Sequence, residues 1–317
     1  MRTITALFVG LGSIGTRHLK NLANLCADRG WTLQADALRS DLTRPLRPGA
    51  AELLNARYTD LTAAPAHYDM VFITNPTSLH AEALRQVKGR GEALFIEKPI
   101  FSAEQTGLAL DELLPAGQKA YVAAPMRWCG AMLALKDRLP ALHPYCARVI
   151  CSSYLPDWRP GVDYRTVYSA RKALGGGVTI DLIHEWDYLV ELFGVPEKLY
   201  NFKGTYSELE IDSDDLSVYI AKYPTLLAEV HLDYFGRGYR RSIELFCRDG
   251  SYLADFGKGT LTLPDGTVQH YEEDVNRRYE REMEYFVDYA LTGCGESCNP
   301  PALALKVLKL TLGENVQ

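Results

Sequence analysis

The chain has 317 residues, 47% of them hydrophobic and 23% charged, with a formal net charge of −6. These proportions describe an ordinary globular protein, long enough for about two domains of roughly 150 residues, and exclude a disordered, fibrous or low-complexity chain. The acidic balance argues against a nucleic-acid partner, and the lack of any run near the ~18 apolar residues of a span argues against a membrane partner.

In chain order, residues 4–9 read as a strand, 14–25 as a helix, 33–38 as a strand and 50–55 as a short helical piece after a Pro/Arg-rich loop. Residues 70–74 read as a strand, 78–87 as a helix, 93–96 as a strand, 104–114 as a helix and 120–123 as a strand. Strand–helix alternation predicts an α/β, doubly wound parallel sheet with helices on both faces. The style changes near Pro125, where 128–139 read as a helix, 148–153 as a strand and 178–193 as one long helix. Strand candidates follow at 200–206, 216–222, 226–234, 241–247, 251–254 and 260–263, separated by turn signals such as Asp249-Gly250 and Asp265-Gly266. Strands without intervening helices predict an α+β domain with a large, mostly antiparallel open sheet. Helices at 276–291 and 302–312 close the chain.

Gly10-Leu11-Gly12-Ser13-Ile14-Gly15 stands between the first strand and the first helix, the context that gives a GxGxxG its meaning. Gly10 permits the tight turn, Gly12 lets backbone approach a pyrophosphate and Gly15 lets helix and strand pack closely. The helix N-terminus then offers Ser13, Ile14 and free N–H groups to the phosphates. A structural strand-to-helix turn is the plainer alternative. The next strand ends at Asp36-Ala37-Leu38-Arg39-Ser40-Asp41. Arg39 and Ser40 stand at the tip, where an acid would select NAD and a guanidinium would pair with a 2′-phosphate. Asp36 reads as inside the strand and Asp41 as lying in the loop, so NADP(H) is favoured over NAD(H); an exposed surface role for Arg39 stays open. On these grounds residues 1–124 form a dinucleotide-binding Rossmann domain. Residues 125–317 form a substrate and oligomerisation domain, whose closing helices can pack back on the first.

Three further clusters carry chemistry. Glu97-Lys98-Pro99 ends the strand at 93–96, where strand C-termini line the ligand crevice. Lys98 there suits holding an alcohol or carbonyl oxygen and its charge, although it also fits an ordinary surface lysine. Asp181, His184 and Asp187 follow Gly175-Gly176-Gly177 at helical spacing, so Asp181 and His184 can share a face. A histidine beside a carboxylate can carry a proton near neutral pH, or can be a satisfied core histidine. The irregular stretch 153–172 is dense in aromatics and arginines, among them Trp158, Arg159, Tyr164, Arg165, Tyr168 and Arg171. Such a loop can cover a polyhydroxylated or anionic ligand, or can pack on its own aromatics. The seven cysteines form no CxxC pair and have no histidines at zinc-ligand spacing, so no metal is expected. With an N-terminus that lacks a signal-peptide pattern, they point to the cytoplasm.

Taken together, GLGSIGTRHLKNL, TNPTSLHAEAL, EKPIFSAEQ, PMRWCGAMLALKDRL and GGGVTIDLIHEWDYLVELFG, in that order, resemble the Gfo/Idh/MocA family of oxidoreductases. The resemblance implies a Rossmann domain followed by an α/β domain whose open sheet makes a homodimer or homotetramer. It implies that Asn75, Pro76 and His80 serve the cofactor loop, that Glu97, Lys98 and Pro99 are the family's EKP motif, and that Asp181 is its acidic position. It adds Arg127 to the substrate contacts. His184 comes three residues after Asp181, where many members carry their histidine four residues on. The stretch from Tyr154 to Leu189 looks like a subgroup of bacterial surface-sugar or nonulosonic acid pathways. The function implied is hydride transfer between nicotinamide and a carbinol or keto carbon of a small sugar or sugar acid. A nicotinamide-assisted lyase or glycosidase and a non-enzymatic NADP(H)-binding regulator are the alternatives.

Overall fold

A computed structural model describes residues 2–292 and 296–316; Cys294 lies outside the described residues. The chain forms two compact units, Met1–Ala123 with Tyr279–Leu305, and Ala124–Arg278 with Lys306–Gln317.

In the first unit, the continuous apolar runs become strands buried on both faces, as a helix-covered parallel sheet requires. β1 (Thr3–Val9) leads into α1 (Ser13–Asp28), and β2 (Thr32–Leu38) follows. Then come β3 (Leu54–Tyr58), β4 (Tyr68–Ile73), α2 (His80–Gln86), β5 (Gly91–Ile96), the single turn α3 (Leu110–Leu113) and β6 (Lys119–Val122). All are paired in parallel in the order β3-β2-β1-β4-β5-β6. The order reverses between β1 and β4, whose C-terminal ends therefore open the crevice in which such sheets bind ligands. Phe8 stacks on Phe72 at 4.5 Å, and Phe72 and Phe95 meet Phe286 edge-on at 5.4 and 5.2 Å.

Two elements here differ from the sequence pattern. The helical piece at 50–55 is only a 3-10 turn, Ala51–Leu53, because the residues after it pair with β2 as the edge strand β3. The helix at 104–114 is interrupted: a capping box between Ser102 and Gln105 closes a 3-10 turn at Ala103–Gln105, and α3 lasts one turn. Gly107 weakens the helix between them and Pro115 ends it.

The second unit contains α4 (Gly130–Arg138), β7 (Cys146–Tyr154), the single turn α5 (Val178–Asp181) and α6 (His184–Phe193). β8 (Lys198–Gly204), β9 (Leu216–Lys222), β10 (Leu227–Asp233), β11 (Phe235–Cys247), β12 (Gly250–Asp255), β13 (Thr260–Thr262) and β14 (Val268–His270) follow. The sheet order is β14-β13-β12-β11-β7-β10-β9-β8, antiparallel except that β7 and β10 run parallel. Alternation decides its faces. Ala147, Val149 and Cys151 of β7 are buried beside Ala228, Val230 and Leu232 of β10, while Arg148, Ile150, Glu229 and His231 point the other way. α5 packs on β9 and β10, and Trp186 of α6 meets Tyr219 edge-on at 5.2 Å. β14, three residues long, is too short for its periodicity to be legible. The expected helix at 178–193 is broken at Leu182-Ile183, where Leu182 adopts φ −97° and ψ 34°.

α7 (Val275–Thr292) and α8 (Pro301–Thr311) end the chain. From Tyr279 onward α7 belongs to the first unit, where Glu282 accepts the Tyr121 hydroxyl at 2.8 Å. Among the described residues no helix is long and apolar enough to cross a membrane.

Candidate functional site

In the first unit the glycine loop is built for close approach. Gly10 has φ +82°, and a Cβ there would lie 2.7 Å from the Asn75 Cα. A Cβ on Gly15 would lie 2.6 Å from the Thr74 hydroxyl, so both glycines are required by packing. Gly12 differs: a Cβ there would meet nothing within 4 Å. Gly12 is also the N-cap of α1, with no side-chain cap and no acid in the first turn. Ser13 and Ile14 open the helix beside this space. Unclaimed N–H groups and the positive helix end suit a phosphate there.

At the end of β2 the acids are engaged. Asp36 is buried and accepts the Tyr68 hydroxyl at 2.8 Å and the Asn55 amide at 3.3 Å. Asp41 accepts the Thr43 N–H and hydroxyl at 2.8 and 2.6 Å, bonds that hold its carboxyl below the usual range. Arg39 donates its backbone N–H to Tyr58 at 2.9 Å, but its Nη1 is buried without a partner, and Ser40 is exposed beside it. The Asn75 Oδ1 is likewise buried and unpartnered. Orphaned polar atoms of this kind fit a polar ligand. Pro76 heads a 3-10 turn at Thr77–Leu79.

His80 and Glu97, expected at the cofactor, are both buried and bonded to protein. His80 places its two ring nitrogens 3.1 Å from the carbonyls of Ile100 and Asn75. Burial holds its pKa below 6.5 although both carbonyls pull the other way. Glu97 lies 2.5 Å from Nε2 of the buried His18 and accepts the Lys98 N–H at 3.1 Å. Burial alone would raise the Glu97 pKa, but the His18 bond, His18 charge and Lys98 hold it below the ordinary value. Lys98 is half-buried, and its bond to Pro99 is cis. His18 was missed as a site residue, although it stands inside the GTRH run that follows the glycine loop.

In the second unit the expectation that Asp181 and His184 share one helical face is corrected. Asp181 ends α5 and His184 begins α6, on opposite sides of the break. Asp181 accepts the Tyr168 hydroxyl on Oδ1 and the buried Tyr234 hydroxyl on Oδ2, the latter at 2.5 Å. Burial first, and the Asp181 charge next, raise both phenol pKa values. Tyr234 sits far along the chain in a strand-rich stretch, and no local pattern marks it. Glu185 accepts a fork from Arg241, Nε at 2.7 Å and Nη2 at 3.0 Å. Arg127 is 3% exposed and forks onto Asp187 at 2.9 and 2.8 Å, with its third nitrogen 2.5 Å from Glu191. Arg127, expected at the substrate, thus stands in a buried ion-pair network.

The aromatic and arginine-rich segment is partly self-satisfied. Trp158 donates to the Ser153 hydroxyl at 3.0 Å and meets Tyr234 edge-on at 5.2 Å. Arg165 pairs with Asp163 and Glu210, Arg171 lies 3.8 Å from Asp212, and the Tyr164 hydroxyl accepts the Glu210 N–H at 3.2 Å. Both arginine side chains remain half-exposed beside these surface acids. Arg159 is exposed, and its backbone carbonyl accepts the Val162 N–H at 3.0 Å. Among the described residues no group of three or more His, Cys, Asp or Glu could hold a metal ion.

Residues 4–123 match the GFO_IDH_MocA family model, an oxidoreductase family with a NAD-binding Rossmann fold. An uncharacterized oxidoreductase, YrbE, of Bacillus subtilis (strain 168) is 24% identical over 90% of this chain and 86% of its own length. Levoglucosan dehydrogenase, solved with NADH and levoglucosan, superposes with a TM-score of 0.80 at 16% identity, covering 98% of this chain and 96% of that one. The WlbA dehydrogenase from Bordetella pertussis, solved with NADH and UDP-GlcNAcA, gives a TM-score of 0.73 at 19% identity, covering 98% and 95%. At these identities the solved structures speak for the fold.

Proposed function

We propose that this chain, whose residues 4–123 match the Gfo/Idh/MocA oxidoreductase family model, is an NADP(H)-dependent enzyme that moves a hydride between nicotinamide and a carbinol or keto carbon of a sugar-type compound. The observation that carries the cofactor reading is the open N-terminus of α1. Gly12 leaves clear space before unclaimed N–H groups, at the point where the sheet order reverses. Arg39 supports NADP(H): its Nη1 lacks a partner, while Asp36 and Asp41 are held by other groups and leave the ribose 2′ position without an acid. Asn75 lines the same loop with an unpartnered oxygen.

When bound, the nicotinamide supplies or accepts the hydride. Lys98 holds the reacting oxygen and stabilises charge that develops on it. His184 takes or returns the hydroxyl proton. Asp181, fixed by Tyr168 and Tyr234, orients the sugar hydroxyls, and Trp158, Arg159 and Tyr168 cover the sugar. The sugar class is favoured by levoglucosan dehydrogenase and WlbA among the similar structures. The open face of the second sheet is read as the self-association surface, and the cytoplasm as the compartment, in keeping with six free thiols among the described cysteines.

The test is a fluorescence titration with NADPH and NADH side by side, followed by turnover on neutral and acidic sugars. Arg39→Ala is expected to weaken NADPH roughly 10–100-fold, the value of one or two charge-assisted hydrogen bonds, with NADH nearly unchanged. Equal weakening of both cofactors would remove the NADP(H) assignment. Absence of turnover with either cofactor across the panel would remove the dehydrogenase reading.

A further inference from the structure

α6 begins at His184, directly after the break at Leu182-Ile183. Across the break Ile183 N–H bonds to Ile180 at 3.3 Å and Glu185 N–H to Leu182 at 3.4 Å, beside Leu182 N–H to Val178 at 3.1 Å and Asp187 N–H to Ile183 at 3.0 Å. Two buried acids flank the histidine, Glu185 one residue on and Asp187 three residues on. Each takes a forked guanidinium from a different element. Arg241 reaches Glu185 from β11, and Arg127 reaches Asp187 from the 3-10 turn at Pro125–Trp128.

A buried ion pair adds little net stability, because desolvation offsets its Coulomb attraction. Acids in a first helical turn are also favoured by the helix dipole without any arginine. Two such forks on the same turn call for a reason other than stability. A planar fork fixes distance and rotation together. Two forks arriving from separate elements fix a helix turn in position and in rotation about its axis.

We propose that Arg127 and Arg241 are positioning residues, which hold the first turn of α6 so that the His184 imidazole keeps one orientation for proton transfer. The proposal rests on the reading of His184 as the proton-transfer group. Neither arginine need touch substrate or cofactor.

The test uses the full chain, with the ring signals of His184 identified by their loss in His184→Asn. The variants are Arg241→Lys, Arg127→Lys and the apolar double replacement Glu185→Leu with Arg241→Met. In each, the His184 ring signals are expected to broaden and change position, because the turn that carries the imidazole loses the forked bonds that fix its rotation. The kcat is expected to fall roughly 10–100-fold through misplacement of the base, with NADPH affinity held within about twofold. A merely structural role would lower the melting temperature and leave the His184 signals and the kcat–pH profile unchanged, and that result overturns the proposal. If the double replacement does not fold, the two lysine variants decide. If His184→Asn keeps full turnover, proton transfer by His184 is wrong, whereas the ring signals of the arginine variants still decide the positioning claim.

Discussion

Single residues set the chemistry, and two outcomes belong at this scale. Lys98→Ala and His184→Ala are each expected to lower turnover by roughly 10²–10⁴, the range of general acid–base contributions, while NADPH affinity changes less. Near-normal turnover of either variant in steady-state kinetics would remove its role. His80 gives a pH dependence. Its folded pKa lies below the ordinary 6.5, so the folded chain binds fewer protons than the unfolded one as pH falls through 6.5. Its contribution is therefore retained above 6.5 and lost below it, at up to about 1.4 kcal/mol per pH unit. Glu97, held below its ordinary 4.5, adds a loss of the same sign at lower pH. Melting temperature followed from pH 7 downward is expected to fall, with a flatter slope in His80→Gln; identical slopes would contradict the assignment. Gly10, Gly12, Gly15, Lys98 and Asp181 were legible in the sequence because glycine loops and strand ends leave local patterns. Tyr234, Arg241 and the buried roles of His80, Glu97 and Arg127 were not, because each depends on a partner tens of residues away.

Among the elements, α1 carries the clearest consequence. Its N-terminus has free space at Gly12 and no competing acid. Gly12→Asp supplies a good N-cap, so the melting temperature is expected to hold or rise, whereas NADPH affinity is expected to drop by about 100-fold through repulsion of the phosphates. Retained NADPH binding in that variant, measured by titration, would place the pyrophosphate elsewhere. The strands were readable from apolar runs and alternation, but helix continuity was not. The sequence from Val178 to Phe193 is a plausible single helix by composition. Its break follows where Asp181 is drawn to two tyrosines while Glu185 and Asp187 are drawn to two arginines. The helix expected at 104–114 failed for a more local reason, a capping box followed by Gly107.

For the molecule as a whole, the open face of the second sheet bears on assembly. Phe202 is 72% and Tyr200 53% exposed on β8, facing the same way as Val218 and Ile220 of β9. Apolar surface of this kind on a sheet face marks an interaction site. The chain is expected to be a homodimer or homotetramer by light scattering, and Phe202→Glu with Tyr200→Glu is expected to reduce its mass to that of a monomer. A monomeric wild type, or a double variant of unchanged mass, would exclude this face.

The sequence by itself determined the two kinds of sheet, the glycine loop at the first strand-to-helix turn and the EKP run at a strand end. Each is written in neighbouring residues through periodicity, turn chemistry or spacing. Tertiary structure alone decided which charges are available. It paired Asp36 with Tyr68, left the Arg39 Nη1 without a partner and buried Arg127 against Asp187. Whether a polar side chain is satisfied depends on what the fold brings to it, and composition and spacing do not record that.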